Sequence, residues 1–243
     1  MAKRANMAEA ALPGLAGPGA EPDHAHHRAR LRERFDRAGA EALADYEMLE
    51  LVLFRAIPRR DVKPLAKRLL REFGDFNHAI SAPLSRLLAV EGMGEAAARE
   101  LKIVEAAAQR LAQARVIGKE ALTSWSALMT YCKTRMAHQG VEEFRLLFLD
   151  RKNVLIADEL QAKGDVSGVS VYPREVAKRA LALDASALVM AHNHPSGDPT
   201  PSQADIRMTK EVAAALQAVG VVLHDHVVIG KERDASFRAL GLI

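Results

Sequence analysis

The sequence predicts an α+β (α/β) protein, with a small all-α domain preceding a domain in which helices accompany a sheet. Three observations carry this. From His27 to about Arg115 every periodic segment has its apolar residues at helical spacing. From Phe144 onward, alternating or continuous apolar runs appear, separated by polar turns, which is the pattern of strands. Between them, Val116-Ile117-Gly118-Lys119-Glu120 fits neither pattern and reads as a linker over 116–121. A chain of 243 residues, 49% hydrophobic and 27% charged, is long and apolar enough to bury a core in each part.

Taken in order, residues 1–25 are rich in Ala, Gly and Pro without periodicity, and read as a disordered tail ending in a solvated histidine cluster. The all-α domain over 26–115 follows. Leu31, Phe35 and Ala38 mark one apolar stripe, and Tyr46, Leu49, Val52 and Leu53 a second. Leu65, Leu69, Leu70 and Phe73 make a third, closed by Gly74 as a C-cap. Leu84, Leu87 and Leu88 lead into Val90-Glu91-Gly92-Met93-Gly94, after which Ala98, Leu101, Val104 and Ala108 continue on a new helix.

The second domain, 122–243, opens with a helix from about Ser124 to His138, ended by Gly140. Phe144–Leu149 and Val154–Leu160 read as a hairpin around Asp150-Arg151-Lys152-Asn153. Val169–Val171 is a short strand candidate, and Pro173 opens a helix to about Leu183. Ala187–Ala191 is a continuously apolar, buried strand, Ser202 to about Val219 a helix, and Val221–Ile229 a further β run.

Composition excludes several classes. No stretch approaches the roughly 20 apolar residues that span a bilayer, and no signal peptide is recognisable, so a cytosolic protein without a membrane partner is expected. The single cysteine, Cys132, cannot form an internal disulfide and reads as a small buried hydrophobe. Aromatic residues are 5% of the chain, too few for a base-stacking surface. The net charge of +3 lies wholly in residues 1–115, with 19 Lys+Arg against 16 Asp+Glu; residues 116–243 hold 15 of each. Gly92-Met93-Gly94 resembles the turn of a helix-hairpin-helix, whose backbone N–H groups can meet a phosphate, although Glu95 departs from the usual residue there. Weak DNA contact through this helical domain is therefore one expectation. A solvated basic face over Arg59, Arg60, Lys63, Lys67, Arg68 and Arg71 is the other.

Chemistry concentrates in Ala191-His192-Asn193-His194-Pro195-Ser196-Gly197-Asp198-Pro199-Thr200-Pro201-Ser202-Gln203-Ala204-Asp205. Histidines at i and i+2 of an extended chain point to one side, so both imidazoles can reach one ion. Asp205 lies in the first turn of the following helix. Two imidazoles and one carboxylate form a three-donor set with the fourth tetrahedral position open, the arrangement of a catalytic zinc site. The competing reading is a capping box, Ser202-x-x-Asp205, in which the acid reaches back to the helix start and can hardly serve an ion as well. A second pair, His224 and His226 around Asp225, has the same spacing but no carboxylate-bearing helix start after it. It reads as a hydrogen-bonded structural or supporting pair.

His192-x-His194, seven residues, Ser202, two residues, Asp205 resembles the signature of the JAMM (MPN/JAB) metallopeptidases. His194-Pro195-Ser196-Gly197, Asp225-His226, Tyr172-Pro173-Arg174-Glu175 and Ser236-Phe237 resemble the bacterial RadC family. The resemblance implies an MPN/cytidine-deaminase-like mixed sheet with flanking helices. It also implies a Zn2+ metallohydrolase of the peptidase or isopeptidase type, cleaving an amide bond of a peptide or protein with a zinc-activated water. Within it His192, His194 and Asp205 are the ligands, and a glutamate at the start of the first strand is the general base. Glu142 fits that place best and Glu143 next; alternation puts them on opposite faces, so only one can serve. Ser202 corresponds to the residue that hydrogen-bonds the developing oxyanion, with the helix cap as its other role. The alternative is a non-catalytic scaffold associated with DNA repair.

Overall fold

The computed structural model describes residues 23–164 and 171–243. The described residues up to Leu43 form one compact unit, and those from Ala44 onward another. In the first, α1 (Asp23–Ala38) is followed by a 3-10 turn, Ala40–Ala42. Because α1 starts at Asp23, the last residues of the expected tail are helical. The segment Asp23-His24-Ala25-His26-His27-Arg28-Ala29-Arg30-Leu31 runs directly into strong helix formers, and nothing in it stops the helix. The rest of that tail lies outside the described residues.

The second unit begins with five helices, α2 (Asp45–Ala56), α3 (Lys63–Phe73), α4 (Phe76–Ser81), α5 (Leu84–Ala89) and α6 (Glu95–Ala114). Their apolar stripes meet as the periodicity predicts: Leu49, Leu53, Leu65, Leu69, Leu87, Ala98 and Leu101 are all buried. Gly74 closes α3 at φ +99°, its N–H bonding the Leu70 carbonyl. Gly92, at φ +88°, makes the turn between α5 and α6. The carbonyls beside that turn are occupied from within the chain, Glu91 by Arg68 and Gly92 by Arg60.

Residues 116–121 are stitched to the hairpin where its turn enters the second strand. Gly118 N–H donates to Leu155 O, Leu155 N–H to Lys119 O and Ala121 N–H to Asn153 O. Val116 and Ala121 join the core beneath.

Beyond α7 (Trp125–Met136) come β1 (Glu143–Leu149), β2 (Leu155–Lys163), α8 (Pro173–Ala182), β3 (Ala187–Asn193), α9 (Gln203–Ala218), β4 (Val222–Ile229) and β5 (Asp234–Ser236). The sheet order is β2-β1-β3-β4-β5, with β3 and β4 parallel and the other neighbours antiparallel. Thus the fold is α+β with a mixed sheet, as the sequence predicts. The tight turn before β2 forms because Asp150 Oδ1 accepts from the N–H groups of Lys152 and Val154, while Asn153 takes the left-handed conformation at φ 59°. The short strand expected over Val169–Val171 falls mostly outside the described residues, and Val171 itself is buried without strand pairing.

Alternation along β1 and β3 sorts the core into two layers. Leu147, Leu149, Val189 and Ala191 pack under α7, whereas Phe144, Leu146, Phe148, Leu188 and Met190 pack under α8 and α9. Cys132 is buried on α7, and burial pushes its thiol up to about 12. At pH 8 that leaves a thiolate fraction of about 10⁻⁴, against roughly 0.2 for an ordinary exposed thiol. Alkylation of the native protein by iodoacetamide is accordingly expected to run about a thousandfold slower than alkylation after unfolding in guanidinium. Equal rates in the two states would show the thiol to be accessible.

Candidate metal centre

His192 is the penultimate residue of β3 and wholly buried, and His194 follows just past the strand end, partly buried. Pairing of Phe144 with His192 across β1 and β3 puts both on the α8/α9 face, where their rings stack with centroids 5.7 Å apart. After His194 the chain turns through Gly197, which stands at φ +90°. It is held there by Gly197 N–H to His194 O and Lys231 N–H to Gly197 O. A Cβ on Gly230 would stand 2.4 Å from Gly197 O and 2.8 Å from Arg233 O, so only glycine lets the two loops close on each other. The prolines then deliver the chain to Ser202, the N-cap of α9, with Asp205 in its first turn.

This path brings the three predicted donors together. His192 Nε2 and His194 Nε2 are 3.0 Å apart, Asp205 Oδ1 is 3.6 Å from the first and Asp205 Oδ2 is 3.7 Å from the second. A tetrahedral ion with bonds of about 2.0–2.1 Å sets its donor atoms about 3.3–3.4 Å apart. His194 Nδ1 lies 2.8 Å from the Asp198 carbonyl oxygen, which can only accept, so the neutral ring carries its proton there and offers a lone pair at Nε2. Among the described residues this is the group of His, Cys, Asp and Glu side chains arranged to hold a metal ion. The donor set and spacing fit zinc.

The capping box forms as well, on a carboxylate that at the same time faces both imidazoles. Asp205 Oδ2 accepts from Ser202 N–H at 2.7 Å, and Ser202 Oγ accepts from Asp205 N–H at 3.1 Å. A carboxylate has two oxygens with about four lone-pair directions, and the cap uses one of them. Ser202 Oγ likewise accepts the cap bond while its own proton remains available to donate.

Electrostatics follow from position. Burial lowers the His192 pKa to about 4 against the pull of Asp205. His194 is raised, chiefly by the Asp205 carboxylate that faces it. For Asp205 burial acts upward, but the two imidazoles that face it and the bonds of the Ser202 cap outweigh it and hold the carboxyl far below its ordinary range. Glu142, half-buried just before β1, is raised by burial and then by the negative charge of Asp205. Glu143 points the other way: on the α7 face it pairs with Lys163 at 2.9 Å and approaches Arg145 at 4.0 Å. The structure therefore leaves Glu142, not Glu143, on the side of the three donors.

The RadC-like JAB domain family matches residues 122–242, and the UPF0758 N-terminal family matches residues 23–99. A UPF0758 protein of Rhodobacter capsulatus is 66% identical over 213 residues, covering 88% of this chain and 100% of its own length. Another, from Ruegeria pomeroyi, is 62% identical over 217 residues, covering 89% of this chain and 97% of its own. The chain belongs to the RadC family.

Sequence reasoning about this RadC-family chain missed two residues of the centre. Asn193, between the two histidines, faces the opposite side of the strand. Its Oδ1 accepts from Glu143 N–H, and its Nδ2 donates to the carbonyls of Val141 and Gln139, so it brackets the backbone that carries Glu142. Thr209 sits one helical turn beyond Asp205 on α9 and meets His226, which bonds His192 in turn. The spacing i, i+4 from Asp205 was the available signal. Asp225 serves structure: its carboxylate accepts from the N–H groups of His226 and Arg238 and from Ser236 Oγ, which seats Phe237 on the His226 ring at 4.4 Å. His224 is not part of the centre and bonds Asn153 instead. The strand β5, which Ser236 ends, had no sequence signal beyond the family resemblance.

Proposed function

We propose that this protein is a zinc-dependent metallohydrolase of the peptidase or isopeptidase type, acting on an amide bond in a peptide or protein. The observation that carries the reading is the convergence of His192, His194 and Asp205 with Glu142 beside them, in a domain of the RadC-like JAB family. A zinc ion held by these three groups supplies an activated water and a Lewis acid for a carbonyl oxygen. Glu142 takes up a proton at its carboxylate and passes it to the departing amine. Its raised pKa makes it a stronger base than a solvated carboxylate. Ser202, which accepts its cap bond from Asp205, donates its hydroxyl proton to the oxygen on which negative charge develops. Asn193 holds the backbone on both sides of Glu142. A free, buried thiol suits a cytosolic location, and no helix among the described residues is long and apolar enough to cross a membrane.

Metal analysis of the purified protein and a broad screen of peptide and isopeptide substrates test this. The wild type is expected to hold about one zinc ion per chain, and His194→Ala none. Glu142→Gln should keep the metal and lose at least about 100-fold in hydrolysis. Full zinc retention in His194→Ala, or unimpaired cleavage by Glu142→Gln, would defeat the assignment.

A further inference from the structure

Behind His192 lies a row of wholly buried polar side chains that the proposed chemistry does not use. Thr209 Oγ1 is 2.6 Å from the backbone oxygen of Asp205 and 2.6 Å from His226 Nδ1. His226 Nε2 is 2.8 Å from His192 Nδ1. Thr209, His226 and His192 are each 0% exposed, and the aromatic rings of Phe144 and Phe237 pack against the two imidazoles.

The direction of every bond in this row follows from its first member. A backbone carbonyl has no proton to give, so the Thr209 hydroxyl donates its single proton to Asp205 O. In its second contact the same oxygen can then only accept, and His226 Nδ1 must carry the proton. A ring buried between apolar surfaces, with no carboxylate bonded to it, stays neutral and holds one proton. His226 Nε2 is therefore a bare lone pair that accepts from His192 Nδ1–H. By the same reasoning His192 has its proton on Nδ1, and its Nε2 lone pair points at His194 and Asp205. With His194 Nδ1 bonded to the Asp198 carbonyl, both imidazoles present bare nitrogens to the same point.

We propose that Thr209 and His226 are positioning residues whose one-way chain of hydrogen bonds locks His192 in the tautomer that keeps its Nε2 lone pair on the metal position. Asp205 and Thr209 belong to one turn of α9, so a single helix supplies a ligand directly and orients a second ligand on β3 through the chain. The purpose of the device rests on the metal-centre reading; the proton arrangement itself does not. An apolar residue at 209 would satisfy packing equally well, and a buried hydroxyl and imidazole are costly unless their bonds are used.

Two measurements on the full chain test this. In the metal-free wild type, nitrogen-15 NMR of the histidine rings should show His192 and His226 protonated on Nδ1 and bare on Nε2. Zinc affinity by chelator competition should fall about 10–100-fold in Thr209→Val, which keeps the shape and removes the hydroxyl, and return to within a few-fold of wild type in Thr209→Ser. A proton on Nε2 of His192, wild-type affinity in Thr209→Val, or equal losses in the Val and Ser variants would overturn it. A wild type that takes up no zinc would defeat the metal-centre reading, while the nitrogen spectra would still decide the tautomer.

Discussion

Replacing Asp158 by asparagine is expected to cost about 3–5 kcal/mol of stability, because it breaks a buried pair and strands the other charge. Arg145 of β1 meets Asp158 of β2 through two parallel bonds, Nε to Oδ1 at 2.9 Å and Nη2 to Oδ2 at 3.0 Å. Their side chains are 6% and 0% exposed, and the Tyr131 hydroxyl of α7 donates to the same carboxylate. Asparagine fills nearly the same volume but cannot neutralise the guanidinium, and its amide turns a donor towards one of three groups that are all donors. For a chain of this size the loss corresponds to a fall of about 10 °C in Tm. Arg145→Met with Asp158→Leu should recover most of it, since removing both charges leaves no unpaired ion. A loss below about 1 kcal/mol for Asp158→Asn would mean that water reaches the pair.

That cluster was illegible in the sequence for a physical reason. Arg145 sits in Glu143-Phe144-Arg145-Leu146-Leu147-Phe148-Leu149, where a charged residue reads as the polar half of an alternating strand facing water. Its partners lie 13 positions away on the next strand and, for Tyr131, on the preceding helix. Periodicity reports which face a residue occupies and carries nothing about which distant groups share it. The meeting of His192, His194 and Asp205 was legible because its geometry is local. A strand of period two fixes the relation of His192 to His194, and a helix start fixes Asp205 beside Ser202. The choice between Glu142 and Glu143 is intermediate: alternation separates them, but only the pairing of Glu143 with Lys163 shows which one faces the α7 side. The capping box was legible as a motif, whereas a residue letter does not show that the capping carboxylate also faces both imidazoles.

Acidification supplies the other large effect. In the metal-free protein, lowering the pH from 7 to 4 is expected to remove about 3 kcal/mol of stability through His192 alone. This ring is held to about 4 in the folded chain by burial, against an ordinary value near 6.5 once unfolded. Between those values the unfolded chain binds the proton and the folded chain refuses it. Stability is therefore fully present above about pH 6.5 and declines as the pH falls towards 4, at about 1.4 kcal/mol per pH unit. Burial also lowers His226, His138 and His224, and each adds a slope of the same sign. His194 is raised instead, so its contribution is present below the ordinary value and fades at higher pH, outside the window in which His192 acts. Denaturant titrations at half-unit pH intervals, with the metal removed by a chelator, measure the slope directly. His192→Gln should flatten it by up to one proton whatever the variant does to absolute stability. An unchanged slope in that variant would mean that His192 takes up its proton in the folded chain as readily as in the unfolded one, so that burial does not hold the ring neutral over this range.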